Sequence, residues 1–292
     1  MSFKNKIKKR APFLINAKRS LEDQTSLFNA QLSEIYKQRQ LRHTNRLCRY
    51  GKRVFCQSDE DGLTIEVCKR VGIIRGSFIE LGVGSGIENN SLVLLSMGFS
   101  GAWIGGENLA FKIPKNSKRL HYQQAWITLD NISSLINKSL EFIDKPDLDL
   151  LSIDLDGNDY YFLNQILLNG LLPKVVICEI NGIFPPPIKF TIEYNAGHEW
   201  LRDDYQGASL ALMNELLTSF GYKLIVCNGA TGVNAYFVLN KFAELFPETP
   251  SEIEQIYVEP LHINYTGSTF PRSLKTISQI LKDDAEEKKL EV

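Results

Sequence analysis

No run of 18 uncharged apolar residues occurs in the 292-residue chain, so no membrane-spanning helix is expected. Nor is a secretory leader expected: the basic residues 1–10 are not followed by an apolar stretch and a small-residue cleavage site. Cytoplasmic residence is the resulting expectation. The five cysteines (Cys48, Cys56, Cys68, Cys178 and Cys227) contain no C-x-x-C unit, which argues against zinc or redox chemistry. Their odd number argues against a disulfide framework. Cys178 and Cys227 fall in apolar runs, where cysteine behaves as a small hydrophobe. Internal repeats and low-complexity tracts are absent. So is the dinucleotide fingerprint: counted from Gly82 or Gly84, its last glycine would fall on Ile87 or Asn89.

What is present is ordinary in bulk and uneven in distribution. A hydrophobic content of 43% is enough for a sizeable core. The net charge of −1 conceals a division: residues 1–53 carry 14 Lys/Arg against 3 Asp/Glu, and the remaining residues carry 19 against 31. A basic arm on an acidic body suits contact with an anionic surface, with nucleic acid, with another copy, or with its own body. The expected organisation is a basic helical arm over 1–54, a main domain over 55–245 and a C-terminal extension over 246–292. Within the arm, residues 1–12 read as a flexible tail ended by Pro12. A helix with a rough apolar stripe (Leu21, Leu27, Phe28, Leu32, Ile35) begins at Ser20 and reaches into the forties.

The organising stretch is Ser77 to Gly86, in which Glu80 closes a short apolar strand and glycines alternate at Gly82, Gly84 and Gly86. Glycine there allows a sharp turn and close approach of a ligand to bare backbone. Ahead of it, the acidic stretch 57–62 leads into a helix over about 63–71. After it, a crossover helix over 87–97 and a strand ending near Gly105 place Glu107 one βαβ unit beyond Glu80. A third strand over 120–125 and a helix over 132–143 follow. The apolar run ending at Ile153 then delivers Asp154, Asp156 and Asp159 to a strand end, where open α/β sheets bind ligands. The run 175–180 does the same for Glu179 and Asn181. A long irregular stretch to about Gln206 carries His198, Trp200, Asp203, Asp204 and Tyr205, and its aromatic content favours order. An amphipathic helix over 209–220 and a hairpin over 222–239 close the alternation, and residues 282–292 should fray.

The pattern Glu80-x-Gly82-x-Gly84-x-Gly86 resembles motif I of the class I S-adenosylmethionine-dependent methyltransferases. With the phrases at 57–62, 149–159, 175–181 and 231–234, residues 55–240 are similar to the FkbM-type group and to related bacterial proteins linked to surface glycans. The resemblance implies a Rossmann-like α/β fold with seven mostly parallel strands in the order 3-2-1-4-5-7-6. It implies that Glu80, Gly82, Gly84, Gly86, Glu107 and Asp154 hold S-adenosylmethionine. Transfer of a methyl group to a hydroxyl of a sugar, on a glycan or small molecule, would follow.

A sugar hydroxyl is a poor nucleophile until its proton leaves, which calls for a base or a metal. Asp154, Asp156, Glu179 and Asn181 are oxygen donors from adjacent strand ends and suit Mg²⁺; Asp154 or His198 is the candidate base. Two other readings stand beside this one. An RNA-directed methyltransferase would use the basic arm, although the Asn/Asp-Pro-Pro-Tyr/Phe signature of amino-nitrogen methylation is replaced here by Asp154-Leu155-Asp156-Gly157. A cofactor-binding module without catalysis is the other.

Overall fold

The computed structural model describes residues 3–145, 147–261 and 271–290. Its centre is a seven-stranded sheet of β1 (Ser77–Leu81), β2 (Ser100–Gly105), β3 (Leu120–Gln124), β4 (Leu150–Ile153), β5 (Val175–Glu179), β6 (Tyr222–Cys227) and β7 (Asn234–Leu239). The strand order is β3-β2-β1-β4-β5-β7-β6, as the class I methyltransferase resemblance implies. β1 pairs in parallel with β2 and β4, and β4 with β5, while β7 runs antiparallel between β5 and β6. β1 and β4 are buried along their whole length, which explains why their sequences are apolar runs instead of alternations.

Helices cover both faces: α1 (Phe3–Arg42), α2 (Glu60–Val71), α3 (Leu92–Ser96), α4 (Ile132–Ile143), α5 (Asp159–Leu168), α6 (Leu210–Ser219), the single turn α7 (Ile253–Ile256) and α8 (Leu274–Leu290). One large apolar core extends from Leu47 to Val258, and a satellite of Phe184, Phe190 and Ile192 orders the long loop after β5. Phe184 and Phe190 stack there at 4.3 Å. Aromatic content kept this loop ordered, as expected.

Three expectations are corrected. The crossover helix after the glycines is not 87–97 but only Leu92–Ser96, because Glu80 takes the backbone N–H groups of Asn90 and Ser91 and holds the chain before them as a loop. The expected tail over 1–12 is helical from Phe3 onward; residues 1–2 lie outside the described residues. Pro12 removes one N–H from the ladder, but the Lys, Arg, Ala and Leu around it are good helix formers. The expected fraying over 282–292 is replaced by helix through Leu290, with residues 291–292 outside the described ones.

α8 has a visible anchor. Asp204, 1% exposed, accepts from the Ser273 amide at 2.6 Å and the Thr276 hydroxyl at 2.9 Å, and pairs with Arg272 at 2.7 Å. The arm is anchored at its far end as well. Gln40 donates to Asp59 at 2.7 Å, Asn45 donates to the Ile225 carbonyl at 2.7 Å, and Leu47 and Cys48 enter the main core. Among the described residues no helix is long and apolar enough to cross a membrane.

Candidate functional site

Since β6 lies antiparallel to β7, and β7 antiparallel to β5, β6 points the same way as β1, β4 and β5. The carboxyl ends of these strands and the turn after β6 therefore meet along one edge. A cavity of about 580 Å³ opens there, lined by the glycine turn, the ends of β4 and β5, the 57–60 segment and the 231–234 turn.

The cavity's first wall is the turn after β1. Gly82 lies at φ 87°, and a Cβ there would stand 1.6 Å from the Asp154 carbonyl oxygen, so the chain after β1 passes this close to the end of β4 only because this residue has no side chain. Gly84, at φ 49°, has no atom within 4 Å of a Cβ position and so presents open backbone to the cavity. Glu80 braces this wall. Its Oε1 accepts from the Asn90 amide at 2.9 Å and its Oε2 from the Ser91 amide at 3.0 Å and the Ser91 hydroxyl; Trp103 Nε1 donates to that hydroxyl at 2.8 Å. Burial pushes the Glu80 carboxyl up, and the Ser91 and Asn90 hydrogen bonds pull it back. The buried Asn89 beside it lines the cavity, and neither its amide nitrogen nor its amide oxygen makes a well-formed hydrogen bond.

The second wall is acidic. Ligand atoms of Asp154, Asp156 and Glu179 lie within 4.8 Å of one another. Burial pushes Asp154 well above the usual carboxylate range, and Asp156 and Asp159 push it further. Burial does the same to Glu179, followed by the charge of Asp154, and Glu179 Oε2 is buried without a partner. Like charges this close require a shared proton or a cation between them. Asp156 occupies the left-handed region at φ 53°, a conformation that Asp tolerates and that is enriched at functional turns. Asp159 holds that turn: its oxygens accept from the Leu155 amide at 2.8 Å and the Gly157 amide at 3.0 Å. Among the described residues no lysine pairs with Glu179. Lys174 pairs with Asp149 at the opposite end of the sheet, and Lys189 pairs with Glu215.

The third wall joins residues about 170 positions apart in the chain. Asn228 Nδ2, with two hydrogens to donate, lies within hydrogen-bond reach of Glu60 Oε1 and Asp59 Oδ1, both at 3.0 Å, and of Thr231 Oγ1 at 2.7 Å. Ser58 donates to Glu60 Oε1 at 2.7 Å, and Asn234 Nδ2 to the same oxygen at 3.3 Å. Asp61 accepts from the successive amides of Val54, Phe55 and Cys56 and fixes the approach. Of the acidic stretch, Ser58 and Glu60 thus face the cavity, while Asp59 and Asp61 hold loops. Tyr36 of α1 also lines it.

Three expected site residues stand apart from this cavity. Asn181 does not line it; Asn181 Nδ2 donates to the carbonyls of Asp204 at 3.0 Å and Gln206 at 2.9 Å, and its Oδ1 accepts from the Ile183 amide. The amide that resembled a metal ligand is committed to shaping the loop. Glu107 is exposed, two residues beyond β2, and outside the lining. His198 packs on the far side of the acidic turn, where a Cβ on Gly157 would lie 2.2 Å from its ring. Burial holds the imidazole pKa down. The remaining expected residues, Glu80, Gly82, Gly84, Gly86, Asp154, Asp156 and Glu179, all line one cavity.

Sequence reasoning missed Tyr36, Asn89, Trp200, Gln206 and Asn228 as parts of this site or its supports. The 57–62 and 231–234 phrases were the available signal for the third wall. Nothing local marked Tyr36 or Gln206.

No protein-family description matches the chain, and no curated protein matches it. Several solved structures do. The MycE methyltransferase from the mycinamycin biosynthetic pathway, in complex with Mg, SAH and mycinamycin VI, is 13% identical with a TM-score of 0.39, over 65% of this chain and 51% of its own. The glycopeptide N-methyltransferase MtfA is 16% identical with a TM-score of 0.34, over 64% of this chain and 94% of its own. A protein described as a hemolysin from Lactococcus lactis is 16% identical with a TM-score of 0.37, over 64% of this chain and 89% of its own. Similarity at this level says nothing about activity. The sheet order identifies the fold as Rossmann-like, in the class I methyltransferase arrangement. What the site does rests on its own geometry.

Proposed function

We propose that the chain is an S-adenosylmethionine-dependent methyltransferase whose acceptor is a hydroxyl, on a sugar of a glycan or on a related small molecule. The observation that carries this reading is the meeting of the open glycine turn and the Asp154–Asp156–Glu179 cluster in one cavity. The residues fit the cofactor: Gly84 leaves bare backbone for close approach, and the buried Asn89 amide oxygen, without a partner, offers an acceptor. S-adenosylmethionine supplies a methyl group on a sulfonium, to be taken in line by the acceptor oxygen.

The chain's contribution is alignment and proton handling. Holding two reactants in line accounts for much of the acceleration such a transfer needs. Asp154 ends the strand next to β1, so it stands between the cofactor wall and the acceptor side of the cavity. Once deprotonated, its carboxylate is suited to accept a proton from a hydroxyl as the new C–O bond forms and the methyl–sulfur bond breaks. The donor set also fits a divalent cation: three oxygen ligands, one of them an orphaned buried oxygen on Glu179. A bound Mg²⁺ would supply positive charge that acidifies the acceptor hydroxyl. Asp154, Asp156 and Glu179 would hold it, without Asn181.

Methyl transfer from isotope-labelled S-adenosylmethionine to a panel of neutral sugars tests the reading. Asp154→Asn should lower turnover by roughly 10²- to 10⁴-fold, the usual contribution of a general base. Turnover within threefold of wild type would remove Asp154 from the mechanism.

A further inference from the structure

The cavity's lining contains six carboxylate residues (Glu60, Glu80, Glu88, Asp154, Asp156 and Glu179) and no lysine, arginine or histidine among the described residues. A phosphate or carboxylate on a ligand is ordinarily met by a guanidinium, an ammonium or a set of N–H donors. Here the acceptor side offers almost the reverse. Asn234 and Gln206 are each 5% exposed, both belong to the lining, and Asn234 Oδ1 and Gln206 Oε1 have no hydrogen-bond partner. The Asn234 amide is oriented by its neighbour: its nitrogen faces Glu60 Oε1, which as a carboxylate oxygen can only accept, so its oxygen is the free end. Buried amide oxygens without partners are costly, and a ligand that brings hydrogen-bond donors removes that cost.

We propose that Asn234 and Gln206 are acceptor-selecting residues, which admit a neutral or amine-bearing polyol and exclude phosphorylated or carboxylated acceptors. The inference rests on the methyltransferase reading and narrows its substrate class. Selection works in two ways: donors on the ligand satisfy the two amide oxygens, and an oxyanion on the acceptor would face Glu60, Asp154, Asp156 and Glu179 with no cationic side chain in the lining among the described residues. The Trp200 indole in the same lining adds an apolar surface for the face of a sugar ring. Among the described residues the basic arm contributes Tyr36, not a cationic side chain, to the lining.

Ligand-observed NMR on the full chain tests it. The probes are four matched sets of monosaccharide-sized fragments: neutral polyols, amino sugars, uronic acids and sugar phosphates, each with S-adenosylhomocysteine present. Neutral and amino members should bind at millimolar concentration, and the anionic sets should bind at least tenfold more weakly. Gln206→Met and Asn234→Leu should each weaken neutral binding by roughly fivefold, the effect of losing one neutral hydrogen bond. Gln206→Met keeps the backbone carbonyl used by Asn181, so one variant stays informative if Asn234→Leu fails to fold. Equal or tighter binding of the anionic sets, or no binding of neutral and amino sets, overturns the proposal. So does unchanged neutral binding in a folded Gln206→Met. Calorimetry of S-adenosylhomocysteine on the same samples separates the two failures: no binding there defeats the methyltransferase reading itself.

Discussion

Asp59 sits under the turn after β6, where it accepts from Gln40 at 2.7 Å and from the Ala230 amide at 3.1 Å. Burial, and then the charge of Glu60, push its carboxyl up to about 6. A carboxyl with a folded pKa above its unfolded value binds its proton more tightly in the folded state. Folding stability is therefore lost as pH rises from about 4 to about 6, by at most roughly 3 kcal/mol for a shift of about two units. Urea unfolding across this range should show wild type losing more stability than Asp59→Asn; parallel curves would contradict the assignment. The acid cluster gives a second prediction with its own sign. Because burial raises Asp154 and Glu179 well above the usual range, Mg²⁺ must displace a proton to bind. Calorimetry of chelator-treated protein in two buffers of different ionisation enthalpy should show proton release, with affinity falling as pH falls through the raised values. Binding without proton release, or no binding, would remove the metal. At this scale the strand-end carboxylates were legible because an apolar run ending in acid has few other uses. The placement of Asn181 and His198 outside the cavity was not, since only the folded loop decides what surrounds their side chains.

Among the elements, the arm and the acidic stretch before α2 changed meaning most between sequence and structure. The charge step near residue 54 suggested a boundary, yet Leu47 and Cys48 belong to the main core and Tyr36 lines the cavity. Their spacing gives no hint of this, because burial there is created by β6 and α2 from distant sequence. Deletion of residues 3–30 should therefore leave S-adenosylhomocysteine affinity unchanged. Deletion of residues 1–53 should lower stability by at least the roughly 2–5 kcal/mol of one large buried apolar side chain and weaken binding. Thermal unfolding and calorimetry on the two truncations measure both effects. Full affinity and stability in the longer deletion would show that the arm is separable as a whole. The acidic stretch reads in sequence as an approach to a helix, but its carboxylates accept from the amides of residues 54–56, 58 and 230 and from Asn228.

For the molecule as a whole, the alternation of apolar strands with helices and the closing hairpin were legible in the sequence, while the strand order with its antiparallel member was what the resemblance to class I methyltransferases implied. The length of the first crossover was not legible, because the Glu80 bonds that shorten it join residues ten and eleven positions apart. The third wall was equally hidden, since Glu60 and Asn228 meet only once the sheet has closed. The central claim is that the open turn after β1 holds S-adenosylmethionine. Calorimetric titration of S-adenosylhomocysteine into wild type and Gly84→Asn tests it most directly. Asparagine tolerates the left-handed backbone found there at φ 49°, so the fold should survive while the side chain fills the open space. Stoichiometric binding to wild type, weakened at least tenfold in the variant at an unchanged unfolding temperature, is the predicted result. Equal affinity in the two proteins, or no binding to wild type, would contradict the account.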